Sequence, residues 1–243
     1  MLTKTRAIVL HSIKYGETSL IVDCFTGEWG RKSFLMKGIR KSVKHNRANL
    51  FQPLFLLDLD VYFKESRELQ WIKEATFPEA PPTFPGDVRK STQAIFLAEV
   101  LKKTLHHEEK DPGLFSFLAS SIEVFEHSAE GFASFHLLFM FKLTRYLGFY
   151  PGRRNGQGDL FFHPEAGGFS EFPGGREIET EKELGRLWNA CSNLDYSSVD
   201  QVFTNHHQRN IFLDSLLAYY RFHIENFGEL RSLEIIRSVF HHD

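Results

Sequence analysis

The chain has 243 residues, and 42% of them are hydrophobic, which suffices for one large domain or for two to three small ones with real cores. Its 29 basic and 31 acidic side chains nearly cancel, at a formal net charge of −2, so the molecule as a whole is no polycation. No run of about 18 apolar residues occurs, and the first residues lead into an alternating strand pattern instead of a signal peptide. We therefore expect a soluble cytoplasmic protein without a membrane partner.

The first eighty residues predict short strands that alternate with turns. The strands are expected at 5–15, 19–26, 31–37, about 55–64 and 69–76. In the second strand Leu20, Val22 and Cys24 share one side. The fourth has unbroken period-two alternation, with inward residues Phe55, Leu57, Leu59, Val61 and Phe63. Five strands are enough to close a small barrel without exposed edges.

A basic segment spans the third strand and the loop that follows it. From Trp29 to Leu57 the chain has no acidic residue, yet it contains the cations Arg31, Lys32, Lys37, Arg40, Lys41, Lys44 and Arg47. Such a positive field favours a polyanion with regularly spaced charges, because each neutralised phosphate releases counterions. Trp29 and Phe34 lie beside these cations and could stack on bases. A merely solvated cationic loop is the alternative, and Phe34 could equally belong to the core.

A proline-rich stretch indicates the end of the barrel. Pro78, Pro81, Pro82 and Pro85 cannot continue a strand ladder, and helical periodicity begins after them. We therefore predict a nucleic-acid-binding domain at 1–79 and a helical domain at 87–243. Within the latter, Ile95, Ala98, Leu101 and Leu105 predict one buried helical face, Asp111 predicts an N-cap, and 132–147 predicts a helix that is apolar on all sides.

The helical pattern is interrupted at 148–178. Glycine, proline and aromatic residues dominate this stretch, which predicts an inserted loop or hairpin. Helices are expected again at about 179–190, 209–227 and through Val239. The insertion contains Arg153 and Arg154, which could contact phosphate or could simply be an exposed pair.

Catalytic and metal-binding motifs are not evident. Phosphate-binding loops, dinucleotide fingerprints and nucleophile elbows do not occur in the sequence. The histidines come as adjacent pairs, which point to different faces, and Asp58 and Asp60 have no third ligand nearby in sequence. Only two cysteines, Cys24 and Cys191, are present, and they are far apart. We expect no metal, no cofactor and no catalytic residues.

Several segments, in order along the chain, resemble the RecO family of bacterial recombinational repair proteins. They are 15–18 (Tyr-Gly-Glu-Thr), Phe25-Thr26 with Gly30, 37–41 (Lys-Gly-Ile-Arg-Lys), 143–151 with its Leu147-Gly148-Phe149 turn, 167–169 (Gly-Gly-Phe), 219–223 (Tyr-Tyr-Arg-Phe-His) and 231–233. Each motif is weak alone, and their order and spacing carry the resemblance.

The resemblance implies a multidomain α and β protein, with an N-terminal five-stranded OB-fold barrel followed by a helical domain. It also implies binding of single- and double-stranded DNA, strand annealing, and cooperation with RecR to load RecA onto DNA coated by single-stranded-DNA-binding protein (SSB), whose C-terminal tail such proteins bind. Many relatives carry four zinc-binding cysteines in the insertion. This insertion has none, so the resemblance does not extend to zinc.

Two other classes of function remain open from the sequence. The protein could be a protein-interaction adaptor whose barrel binds acidic protein tails through the same cations. A metal-dependent nuclease that uses the histidines and the strand carboxylates is the third possibility.

Overall fold

The computed structural model describes residues 1–38, 47–106, 109–128, 132–152, 161–175 and 177–240, with Arg47 described in its backbone only. The chain forms two compact units, Met1–Glu126 and His127–Asp243. Across the described helices, none combines the length and the apolar character that a membrane crossing requires.

The first unit contains a closed five-stranded barrel, as predicted. Its strands are β1 (Leu2–Tyr15), β2 (Ser19–Thr26), β3 (Gly30–Lys37), β4 (Leu56–Tyr62) and β5 (Leu69–Thr76), arranged in the order β1-β2-β3-β5-β4. The pairing is antiparallel except between β3 and β5. The long β1 closes the barrel, since residues 2–8 pair with β4 and residues 7–15 pair with β2, with a bulge between Val9 and His11.

The barrel interior follows the predicted alternation. Leu20, Val22 and Cys24 are buried, as are Phe55, Leu57, Leu59 and Val61. The prediction was wrong for Phe63, which is only half-buried. Strand β4 ends at Tyr62, and the Phe63 ring stacks on Trp29 with 4.2 Å between ring centroids.

Two helices complete the first unit, α1 (Val88–Thr104) and α2 (Pro112–His127). Asp87 caps α1 by accepting from the Arg89 and Lys90 amides, and the predicted cap Asp111 accepts from the Leu114 amide at 2.8 Å. The predicted inner face of α1 was wrong at Ile95, which is 50% exposed. The buried side of α1 is rotated toward Phe96, Leu97 and Val100.

The proline-rich stretch does not separate the compact units. It contains a short 3-10 helix, Phe84–Gly86, whose Phe84 is buried with its ring 5.6 Å from Phe55 and 5.5 Å from Phe125. Glu126 accepts from the Thr83 amide and hydroxyl at 2.7 and 2.6 Å. Through these contacts the stretch belongs to the compact unit that reaches Glu126, and the domain limits of 79 and 87 stay a prediction.

The second unit is helical and also contains a small hairpin. Its helices are α3 (Phe135–Tyr146), α4 (Ile178–Cys191), α5 (Val199–Val202), α6 (His206–His223) and α7 (Leu233–Val239), and the hairpin pairs β6 (Phe161–His163) with β7 (Gly168–Ser170). Every side chain from Phe135 to Phe141 is buried, as expected for the predicted central helix. Asp200 caps α3 through the Ala133 and Ser134 amides.

Three motif segments of the second unit meet in one aromatic cluster. Gly148 ends the turn after α3 at φ +86°, and the Phe149 ring then stacks on His223 with 5.2 Å between centroids. Tyr219 donates its hydroxyl hydrogen to the Phe149 carbonyl. Gly167 adopts φ +63°, and a Cβ there would lie 3.3 Å from the Tyr219 hydroxyl. Sequence motifs that look unrelated therefore anchor the inserted hairpin to α6.

Candidate nucleic-acid interface

The structure separates the cations of the basic segment into different environments. Arg31 and Lys32 lie on β3, and Lys37 is its last residue. Gly38 follows at φ +73°, a conformation that favours glycine, and turns the chain out of the strand. The predicted site residues Arg40, Lys41, Lys44, Arg153 and Arg154 lie outside the described residues, as does the side chain of Arg47.

Arg31 is held by protein partners. Its Nη2 lies 2.6 Å from Asp23 Oδ2 on the neighbouring strand, and its Nη1 donates to the Lys102 and Leu105 carbonyls at 2.8 Å. Only 22% of its side chain is exposed. A guanidinium so placed satisfies carbonyls at the C-terminal end of α1 and compensates the helix dipole. This arrangement joins α1 to the barrel.

Lys32 and Phe34 are less accessible than Lys37. Lys32 is half-buried opposite Cys24, and Phe34 is completely buried opposite Val22. Because its ring forms part of the barrel interior, Phe34 offers no face on which a base could stack. Trp29, the other aromatic residue noted beside the cations, is half-buried against Phe63.

Lys37 is exposed and lies over an exposed tryptophan. Its Nζ is 4.1 Å from the centroid of the Trp71 ring on β5, and the Arg67 guanidinium carbon is 5.4 Å from the same ring. Trp71 is 41% exposed. Across the β4–β5 ladder it is the partner of Tyr62, which is 48% exposed. We call Lys37, Tyr62, Arg67 and Trp71 the Trp71 cluster.

Sequence reasoning did not identify Tyr62, Arg67 or Trp71 as site residues. A signal was present, because the alternation on β4 already assigns Tyr62 to the outside. The sequence pattern does not show that β3 pairs with β5. This pairing places Leu35 opposite Trp71 and brings Lys37 to the Trp71 ring. These two strands lie more than thirty residues apart in sequence.

The two strand carboxylates, Asp58 and Asp60, have basic partners on β1. The Arg6 Nε lies 3.3 Å from Asp58, and the Lys4 Nζ lies 4.0 Å from Asp60. Among the described residues, no three His, Cys, Asp or Glu side chains are grouped in a way that could hold a metal ion. Burial raises the pKa of both Cys24 and Cys191 well above the usual thiol range, so neither thiol ionises readily.

Comparison with known proteins accounts for the combination of barrel and helical unit. Residues 1–80 match the family described as Recombination protein O N terminal, and residues 85–234 match Recombination protein O C terminal. The chain belongs to the RecO family. Relatives named DNA repair protein RecO include those of Flavobacterium psychrophilum (35% identical), Phocaeicola vulgatus (34%) and Azobacteroides pseudotrichonymphae (31%). Each alignment covers 99% of this chain and 100% of the relative.

RecO family membership also explains the order of the parts. The two matched regions correspond to the barrel and to the chain that follows the proline-rich stretch, and the barrel is the OB-fold that the resemblance implied. The aromatic cluster of Phe149, Tyr219 and His223 is built from segments that carried the resemblance. Those segments therefore have a structural role in the RecO fold.

Proposed function

We propose that the protein is a DNA-binding and strand-annealing recombination mediator of DNA repair, which acts with RecR to load RecA onto single-stranded DNA coated by SSB. Family membership supports the class of function. The observation that carries the proposal to this chain is Lys37: it is exposed at the end of β3, and the sequence from residue 38 to residue 57 contains no acidic residue. The proposal also includes a cytoplasmic location, in association with the nucleoid.

Strand annealing requires that the negative charge of two phosphate backbones be neutralised. Two phosphate backbones repel each other, and a protein that pairs them must neutralise both without covering the base edges. Long, flexible lysine and arginine side chains can do this without reading sequence. Lys37, Arg40, Lys41, Lys44 and Arg47 are the residues we propose for this work, with Arg153 and Arg154 as further phosphate contacts from the insertion. The activity consists of binding and needs no catalytic turnover of a small substrate.

The test is annealing of complementary strands that are coated with SSB, followed by fluorescence with and without the protein. We expect the protein to accelerate annealing. A variant with Lys37→Glu, Arg40→Glu, Lys41→Glu and Lys44→Glu should lose DNA binding in a gel-shift titration while keeping its circular dichroism spectrum. A variant with Arg89→Glu, Lys110→Glu, Arg186→Glu and Arg221→Glu, which changes exposed cations outside the barrel strands, makes a control of equal charge change. Equal DNA affinity in the wild type and the first variant would refute the assignment.

The SSB partner belongs to this proposal as well. The resemblance implies an SSB tail that is acidic and hydrophobic, and we propose that the phenylalanine-rich helical domain binds it, with an apolar groove for an aromatic side chain and a cation for the terminal carboxylate. The affinity for a tail peptide should reach its maximum with a short peptide and should not rise further with peptide length. DNA affinity should instead rise with oligonucleotide length and fall steeply with salt. If affinity for DNA does not depend on length or salt, the adaptor alternative replaces the proposal.

A further inference from the structure

One part of the barrel exterior is covered by the helices of the same unit. The Phe25 ring lies 6.3 Å from Phe115 of α2, and a Cβ added to Gly27 would lie 3.6 Å from that ring. Lys110 pairs with Glu28 at 2.9 Å. Together with the Arg31 contacts to α1, these interactions occupy the turn between β2 and β3 and the neighbouring halves of both strands.

Away from this covered turn, the described residues include large exposed side chains on β1, β4 and β5 beside the end of β3. The strand registers place Leu35 opposite Trp71, Trp71 opposite Tyr62, and Tyr62 opposite Leu2. Leu2, Tyr62 and Trp71 are each 41 to 48% exposed. Adjacent exposed aromatic residues on a sheet exterior commonly mark a binding surface.

The charged residues on the β3 side of the Trp71 ring differ from those on its β4 side. On the β3 side stands Lys37, and the chain after it has no acidic residue before Asp58. On the β4 side lie Asp58 and Asp60 with their partners Arg6 and Lys4. The β4–β5 connection has both signs, with Glu65 and Glu68 near Arg67. An anionic backbone is therefore favoured beside Lys37, whereas the paired charges beside β4 neither attract nor repel it strongly.

Lys37 and Arg67 both lie within cation–π distance of Trp71. Long flexible side chains in such contacts can move to a phosphate when another flat group takes their place on the ring. An unpaired base is such a group, and base stacking on an aromatic side chain does not depend on sequence. Bases inside a duplex are already stacked on each other and have no free face to offer.

We propose that single-stranded DNA crosses the barrel over the Trp71 cluster, with unpaired bases stacked on Trp71 and Tyr62 and phosphates held by Lys37 and Arg67. This inference rests on the proposed DNA-binding function and assigns it a path: over β3, β5 and β4, away from the covered turn at Arg31. It also predicts that the rings distinguish single strands from duplex.

The first experiment compares Trp71→Ala with the wild type in binding a 25-nucleotide oligo-dT and a duplex of the same length. We expect about a tenfold loss of affinity for the single strand and less than a twofold loss for the duplex. Trp71→Phe should retain most single-strand affinity, because the ring remains. Phe222→Ala, which removes a 56% exposed ring in the other compact unit, is the matched control and should change neither affinity.

A second measurement uses fluorescence, so that the test does not depend on truncating the ring. The chain has three tryptophans, and Trp188 is buried. In a Trp29→Phe variant, quenching by oligo-dT then reports on Trp71. We expect quenching by the single strand and little by duplex.

The outcomes separate this inference from the proposed function. If the wild type binds neither DNA, the proposed function fails. If the wild type binds both and Trp71→Ala loses affinity equally for both, the rings do not take unpaired bases. A third outcome is that Trp71→Ala binds single strands with wild-type affinity and that oligo-dT does not quench the fluorescence of Trp29→Phe. In that case single-stranded DNA does not cross the Trp71 cluster, and Trp71 and Tyr62 contact another partner.

Discussion

Arg31 faces Asp23 across β2 and β3, and its guanidinium also reaches the last carbonyls of α1. In the sequence Arg31 is the first cation of an acid-free stretch, and nothing in that pattern distinguishes it from Lys37. The three-dimensional structure does. Asp23 is eight residues from Arg31 in sequence, and the two carbonyls at the end of α1 are more than seventy residues away. Only the folded structure brings these partners to Arg31.

Arg31→Ala should destabilise the first unit. The change leaves Asp23 without its cation and removes the hydrogen-bond donor of the Lys102 and Leu105 carbonyls. We expect this loss to cost about 2 kcal/mol of unfolding free energy. Lys37→Ala, on the same strand, removes an exposed side chain and should cost less than about 0.5 kcal/mol. Urea denaturation followed by circular dichroism measures both. Equal stability of the two variants would mean that Arg31 does not join the helix to the barrel.

His136 should make stability depend on pH. Burial, followed by the positive charge of Arg209, lowers the pKa of His136 to about 3 from an ordinary value of 6.5. Below pH 6.5 the unfolded chain therefore binds a proton that the native protein does not, and the unfolding free energy falls as the pH drops toward 3. Between pH 8 and pH 5 this loss is about 2 kcal/mol.

The His136→Gln variant isolates that contribution. Its unfolding free energy should fall by about 2 kcal/mol less than that of the wild type between pH 8 and pH 5, because glutamine does not titrate. Urea titrations at several pH values provide the comparison. Parallel pH profiles for the two proteins would place the acid sensitivity at other groups.

Two neighbouring glycines provide a matched test of the aromatic cluster. Gly167 has φ +63° and lies under the Tyr219 hydroxyl, whereas among the described residues a Cβ at Gly168 would meet the Ala166 carbonyl alone, at 4.0 Å. Gly167→Ala should cost about 1 to 2 kcal/mol, since it combines backbone strain with a close contact. Gly168→Ala should be nearly neutral. Thermal unfolding measures both, and equal melting temperatures would show that the hairpin is anchored elsewhere.

The sequence predicted the barrel well because each strand has its own period-two signal. The alternation from Leu57 to Val61 depends only on which side of one strand faces the core, and burial follows it. Ile95 shows the limit of the same reasoning, because a helix can rotate its buried face toward neighbours that the local pattern does not name. Phe63 shows another, because the pattern continues one residue beyond the end of β4.

The candidate site was less predictable, because it is made by pairing across strands. Charge alone indicated the segment after β3, and Lys37 is the described residue that keeps the expected exposure. Trp71 and Arg67 join it only because β5 inserts between β3 and β4 in the barrel. Local sequence contains no signal for that order, and hence none for which aromatic ring meets which cation.

Salt dependence should assign the two β3 cations to their roles. Each phosphate contact contributes about 0.7 to the slope of log affinity against log salt for single strands. Lys37→Ala should therefore reduce the magnitude of that slope by about 0.7 for oligo-dT, while Arg31→Ala, whose guanidinium already binds Asp23 and α1, should leave the slope unchanged. Fluorescence titrations from low to moderate salt, at a temperature where both variants are folded, give the slopes. A smaller slope in Arg31→Ala would return Arg31 to the DNA interface, and an unchanged slope in Lys37→Ala would remove Lys37 from it.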